Sequence, residues 1–430
     1  MATGVLTRIF VLLAGLALTP LASASDFPMA SPHIDMHPQV ETASSIAAAF
    51  PAPKTELCVG GACASAPVSL AALATPQVSA PRPSAAACIN NSGQHAAVPY
   101  DIDGNCTSDL IWMNDQTHQF GWWLLYPVPD RKGDIASNIS QLISVTPGYW
   151  IAASGDFNND GLADLIWTSN SRDLYLWTST GSGFTAAYIG TYPAGWTLVG
   201  AADIDGDGYD DLIWENQSAC EFGYWLMKGT QVVNRTTIAV TCGYHINFIE
   251  TAFDSPNGTT PAIYWEGPAN QNGMAAYYQW LPQSQTLNAS LYATMPANWT
   301  YIAGMRQSIG PIGFTNQELM VFSEPTSDTT STLLWTTNFD VDGAEGMSNL
   351  MAGYRVVAAG HFTGYCIPCG SQYQEILWTN AAGNISVWML DTSAGTDNIV
   401  LEDILGSQGY SLPNFPASAG WYIVRPGVQN

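Results

Sequence analysis

The sequence predicts an all-β fold built from one repeated sheet, and three observations predict it. Glycine (39) and tryptophan (16) are plentiful among 430 residues, and short apolar runs recur between Gly/Asn/Asp/Ser clusters, the signature of strands joined by turns. A unit of strand, acidic loop, strand, polar turn and strand returns every 47 to 57 residues, a period that signals propellers or solenoids. The chain is 47% hydrophobic and only 11% charged, which supplies a large core and excludes whole-chain disorder. Lys+Arg number 11 against 35 Asp+Glu, and with a net charge of -24 no basic cluster exists to neutralise a phosphate backbone, so no nucleic-acid partner is expected.

Taken in order, residues 1–24 read as an export signal: Arg8 precedes an apolar run from Ile9 to Leu18, and Ala22-Ser23-Ala24 is the small-x-small pattern cut before Ser25. The run is shorter than the ~20 residues of a spanning helix, so no membrane span is expected in the mature chain. Secretion, to the periplasm or beyond, makes disulfides the expected fate of the eight cysteines. Residues 25–95 are rich in Ala, Pro and Ser and contain no tryptophan, which reads as a low-complexity linker or stalk. Cys58 and Cys63 can bridge across the Gly60-Gly61 turn.

Residues 96–430 carry the repeat. Trp112, Trp167, Trp214, Trp265, Val321 and Trp378 mark the second strand of six units, and Trp123, Trp177, Trp225, Trp280, Trp335 and Trp388 the third. Aromatic starts at Trp150, Trp196, Tyr244, Trp299 and Tyr354 mark first strands. Residues flanking the third-strand tryptophans are often apolar on both sides, as stacked sheets require. The expected architecture is a β-propeller of six four-stranded blades, with seven as the alternative count. A last start at Gly420-Trp421 comes too late to found a blade, so it is expected to lend a strand to the first blade and shut the ring, with "HAAVPYD" before Asp101 competing for that slot.

Between first and second strands, three units place oxygen donors at alternate positions. Asp203, Asp205, Asp207 and Asp211 stand at positions 1, 3, 5 and 9 of the fullest loop, with glycine at 6 and the Tyr209 carbonyl at 7. The second loop offers Asp156, Asn158, Asp160, the Leu162 carbonyl and Asp164; the first offers Asp101, Asp103, Asn105, the Thr107 carbonyl and Asp109, with Cys106 where glycine serves better. A hard cation taking 6 to 8 oxygens fits this spacing, so about three structural calcium (Ca²⁺) sites are expected. Trp214 stands at position 12, where an EF-hand needs Glu, and the absence of His and Cys donors disfavours zinc. Later loops have lost the pattern: the fourth keeps Asp254, the fifth Glu318, and the sixth inserts Cys366 and Cys369, a possible staple in the metal's place. Cys220 and Cys242 are placed to cross-link the third unit, and Cys88 to tie the linker to Cys106.

"GDFNNDGLADLIW" and "ADIDGDGYDDLIW", with the aromatic strand before and "YWLM" after, resemble FG-GAP/VCBS-type repeats of secreted bacterial proteins and integrin-like propellers. The resemblance implies a calcium-binding β-propeller, a family often used for adhesion or carbohydrate binding. Such breadth makes it a prior for function only.

No G-x-S-x-G elbow, H-E-x-x-H or Gly-rich phosphate loop is present, and the six histidines are scattered, so catalytic residues are not assigned. The expected role is a non-enzymatic binding or adhesion module for an extracellular glycan or protein, lectin-like in its aromatic surface. Off-phase Tyr126, Phe184, Tyr188 and Tyr192 are the surface candidates. A polysaccharide hydrolase or lyase, with a site assembled around the channel, and a scaffold for protein partners are the alternatives.

Overall fold

The computed structural model describes residues 98–127, 143–250 and 261–269 without a break, and elsewhere residues 39–41, 58–59, 62–63, 88, 135–139, 271, 274–280, 290–296, 300–307, 317–323, 333–337, 344–347, 354–362, 375–380, 385–391, 400–403 and 419–424. Met1–His37 is one compact unit and Pro38–Asn430 the other, and every described residue lies in the second. The expected export signal, residues 1–24, and most of the expected linker, residues 25–95, therefore lie outside the described residues.

Besides a two-stranded pair, six antiparallel sheets of four or more strands are described, and in the second and third the opening strand leads into an acidic loop. The second sheet shows the plan: Tyr149–Gly155, Asp164–Ser169, Asp173–Ser179 and Phe184–Thr191 pair in that order. The third repeats it with Thr197–Ala202, Asp211–Asn216, Glu221–Lys228 and Gln231–Ala239, and a short strand, Gln39–Glu41, pairs with its last member. The fourth, fifth and sixth open with His245–Glu250, Thr300–Gln307 and Tyr354–Gly360. In the first sheet the opening place is taken by Trp421–Ile423, which pairs with Leu110–Asn114 as the late aromatic start predicts. The Asn114 amide donates to the Ala419 carbonyl at 2.8 Å, and the Val424 N–H to the Ile111 carbonyl at 2.8 Å, holding this strand at both ends.

Every opening strand of sheets two to six carries a register shift, at Ile151/Ala153, Leu198/Gly200, Ile246/Phe248, Tyr301/Ala303 and Val356/Ala358. The residue two places before each shift is Tyr149, Trp196, Tyr244, Trp299 or Tyr354. The in-phase aromatic of the second unit is thus Tyr149, 6% exposed, whereas the sequence reading took Trp150, which lies one residue out of phase and is 36% exposed. Alternation explains the difference: adjacent residues on a strand face opposite sides, and only one side meets the core.

Second strands are buried on both faces, since Leu110–Asn114, Asp164–Ser169 and Asp211–Asn216 have no exposed residue. Their apolar side chains fill separate cores between neighbouring sheets. Phe120 and Trp122 of the first sheet pack with Trp167 and Trp177 of the second; Ile166 and Leu176 pack with Trp214 and Trp225 of the third; Ile213 and Phe222 pack with Ile263 and Trp265 of the fourth. Leu377 and Val387 of the sixth sheet pack against Leu110, Trp112 and Trp123 of the first. The landmark pairs Trp112/Trp123, Trp167/Trp177 and Trp214/Trp225 lie 5.0, 4.8 and 4.7 Å apart, so the repeated tryptophans are core. Each buried indole contributes on the order of 4–6 kcal/mol of transfer free energy. Phe184, expected at the surface, is 1% exposed and stands edge-on to Trp122 at 5.2 Å, because it fills the first-to-second core. Tyr192 is buried against Trp214 and Tyr188 packs partly buried on Tyr175, while the Tyr126 side chain lies outside the described residues.

Disulfides join Cys88 to Cys106 and Cys220 to Cys242, as their spacing suggested. The Cys58–Val59 and Ala62–Cys63 strands set Cys58 opposite Cys63. Cys366 and Cys369 lie outside the described residues.

Candidate metal centre

The three acidic loops share one hydrogen-bond plan, which follows from a carboxylate at position 1. Asp203 Oδ1 accepts the N–H groups of Gly206 and Asp207, at 2.7 and 3.1 Å, and its Oδ2 accepts Gly208 N–H at 2.9 Å. Asp101 does the same with Gly104, Asn105 and Cys106, and Asp156 with Asp160 and Gly161. Position 3 accepts from position 5, and position 5 from position 7, in all three loops. Such a wrap bends the backbone into the left-handed region at position 6, where Cys106 has φ 68°, Gly161 φ 83° and Gly208 φ 89°. Cys106 accepts there the strain that glycine avoids, and the bridge to Cys88 holds it.

Position 9 has a second task that the spacing alone did not show. Asp164 Oδ2 accepts Phe157 N–H at 3.1 Å while Oδ1 accepts Ser179 N–H at 2.8 Å, tying the loop to the end of the third strand. Asp109 does this with Ile102 and Leu125, and Asp211 with Ile204 and Met227, all at 2.8–2.9 Å. In the sixth unit the buried Glu375 accepts Phe362 N–H at 2.7 Å, which sets His361 at position 1. The eroded sixth loop has kept the loop half of this tie. Asp254 and the Glu318 side chain lie outside the described residues.

Carboxylate oxygens of Asp101, Asp103 and Asp109 lie within 4.8 Å of one another, and so do those of Asp203, Asp205 and Asp211. Two oxygens bound to one calcium at 2.3–2.6 Å can be no more than about 5 Å apart, so both sets fit. The second loop, with the Asn158 amide in place of a carboxylate, does not bring three carboxylates this close. Cys88 and Cys106 beside Asp101 are a disulfide and offer no thiolate. Lys228 Nζ lies 3.1 Å from Asp207 Oδ2 on the exposed rim of the third loop.

Crowded, half-dry carboxylates resist ionisation. Burial raises Asp156 to about 6 and Asp211 to about 8. Burial, followed by the charge of Asp103, holds Asp101 and Asp109 well above the usual carboxylate range, and burial does the same for Asp164. Asp203 and Asp205 shift the same way, again chiefly by burial.

The loops are also stitched to one another through position 8. Ala163 donates its N–H to the Asp101 carbonyl at 2.7 Å, Asp210 to the Asp156 carbonyl at 2.8 Å, and Ser108 to the His361 carbonyl at 2.8 Å. Where position 8 has a polar side chain the stitch is double: Asp210 Oδ2 accepts Asp156 N–H at 2.7 Å, and Ser108 Oγ accepts His361 N–H at 2.9 Å. These side chains fit because glycine precedes position 1. A Cβ on Gly155 would stand 2.5 Å from Asp210 Oδ2, and one on Gly360 would stand 3.0 Å from Ser108 Oγ.

Residues 156–214, from position 1 of the second loop to the second-strand tryptophan of the third unit, match the family model described as FG-GAP-like repeat. The chain carries an FG-GAP-like repeat. The match takes in both loops that have glycine at position 6. No curated protein matches the chain. Among solved structures, a SapL1 lectin in complex with alpha methyl fucoside aligns at 10% identity and TM-score 0.38 over 71% of this chain and 96% of that one. AofleA from Arthrobotrys oligospora aligns at 11% identity and TM-score 0.35 over 74% and 93%. A putative dipeptidyl aminopeptidase IV from Bacteroides ovatus aligns at 8% and 0.28 over 66% and 46%.

Proposed function

We propose that this protein is an exported, calcium-braced β-propeller of six blades that works as a non-enzymatic binding or adhesion module for an extracellular glycan. The observation that carries this reading is the shared plan of the acidic loops. The carboxylates at positions 1, 3, 5 and 9 serve the backbone of their own sheet, and position 9 ties loop, second strand and third strand together. A cation there would neutralise charges that otherwise repel, and would be structural, not a Lewis acid for a substrate. Asp101, Asp103, Asn105, the Thr107 carbonyl and Asp109 would hold one ion; Asp156, Asn158, Asp160, the Leu162 carbonyl and Asp164 a second; Asp203, Asp205, Asp207, the Tyr209 carbonyl and Asp211 a third.

Ring closure is supported by the Ser108–His361 stitch, by the core shared between sixth and first sheets, and by the C-terminal strand. Export is supported by the two disulfides, and no helix among the described residues is long and apolar enough to cross a membrane. A rigid scaffold with abundant aromatics suits sugars, whose C–H faces stack on rings and whose hydroxyls bond to Asn, Asp and Thr.

The test is thermal unfolding with calcium and with chelator, followed by a glycan array on the calcium form. A ligand that binds only the folded state stabilises it by RT ln(1 + [L]/Kd), about 2.7 kcal/mol at a hundredfold excess over Kd. Calcium should therefore raise Tm. Identical curves in both buffers would remove the brace, and an array with no bound glycan would remove the lectin role.

A further inference from the structure

Resting on the glycan-binding reading, we infer that a neutral sugar binds in a cavity at the end of the first three sheets opposite the acidic loops, with Trp150 as its stacking platform. The cavity encloses about 620 Å³, within the range of small-ligand sites, and accommodates one or two sugar rings. First strands run from this end toward the loops, so the two sites sit at opposite edges of the sheets.

Trp150 is the argument's centre. The repeat assigns the core position of this strand to Tyr149, which is buried and donates its hydroxyl to Asp173. Trp150 is out of phase, lines the cavity, and is one of two large apolar side chains exposed among the described residues. Trp112, Trp123, Trp167, Trp177 and Trp214 are 1% exposed or less, whereas Trp150 keeps about a third of its surface open at the cavity, a face on which the C–H side of a sugar can stack. Trp196 adds a second aromatic wall.

Polar groups at the rim suit hydroxyls. Asp115, held by the Tyr422 hydroxyl at 3.0 Å, keeps its other oxygen as an acceptor, and exposed Asn170 offers both donor and acceptor. No Lys or Arg lines the cavity, and the chain carries -24, so sulfated and uronic-acid glycans are repelled and neutral ones are selected.

The experiment compares wild type, Trp150→Ala and Asp115→Asn on an array of neutral, sulfated and uronic-acid glycans. Calorimetric titration with the methyl glycosides of glucose, galactose, mannose and fucose follows, with Tm as the folding control. The expected result is binding of neutral glycans alone, weakened at least tenfold by Trp150→Ala and severalfold by Asp115→Asn at unchanged Tm. Should Trp150→Ala lose stability, Asp115→Asn carries the test. Glycan binding equal in wild type and both variants overturns the cavity while leaving the lectin role, as does a preference for charged glycans. Absence of any glycan binding by wild type overturns both, and a protein ligand then takes the sugar's place.

Discussion

Asp164 takes two backbone N–H groups from opposite directions, and its removal leaves both donors buried without an acceptor. Asp164→Ala should cost about 2–4 kcal/mol in urea unfolding, in chelator as well as in calcium. Asp160 is exposed and accepts one backbone N–H, from Leu162, so Asp160→Ala should cost at most about 1 kcal/mol in chelator and have its main effect when calcium is present. Equal behaviour of the two variants in chelator would contradict the brace. The residue types and spacing of these loops were legible in the sequence; the second partner of position 9 was not, since Ser179 lies 15 residues further on and contributes only its backbone. Protonation supplies a further check. Asp156 at about 6 and Asp211 at about 8 lie above their unfolded values, so in calcium-free buffer their contribution is fully present at low pH and is lost as pH rises through 6 and then 8. Tm without calcium should fall between pH 5 and 8.5, and saturating calcium should flatten the profile.

At the scale of the element, Gly155 and Asp210 form one joint between the second and third sheets. Gly155→Ala should destabilise by about 1–3 kcal/mol through overpacking, and Asp210→Ala, which removes the obstructing Oδ2 and Cγ but keeps Cβ 2.9 Å away, should recover part of that loss. Strict additivity in this double-mutant cycle would show that the contact does not limit the joint. No sequence pattern announces the pair, because its members stand 55 residues apart and meet only when one sheet docks on another. The same blindness misplaced the second unit's aromatic start. Tyr149 and Trp150 are equally good candidates in one dimension, and only the register shift at Ile151/Ala153 tells which faces the core.

For the molecule as a whole, the all-β repeat of four-stranded sheets, the pairing of the C-terminal strand and two cysteine pairs were legible, because each depends on order along the chain. Deleting residues 420–430 should uncover the edge of Leu110–Asn114 and the buried Trp112, and the product should self-associate in size-exclusion chromatography. A deletion variant that stays monodisperse would show that the strand is dispensable.

The stitches through position 8 run from the sixth unit to the first, second and third. At the next junction the pairing of Glu250 with Ala262 puts Pro261 in that place, and proline has no N–H to give. Among the described junctions, this one alone is built without the rivet. Under mechanical load or gentle denaturation, the crack should start there, between the third and fourth sheets, and the intact belt on the other side should be the last part to come undone.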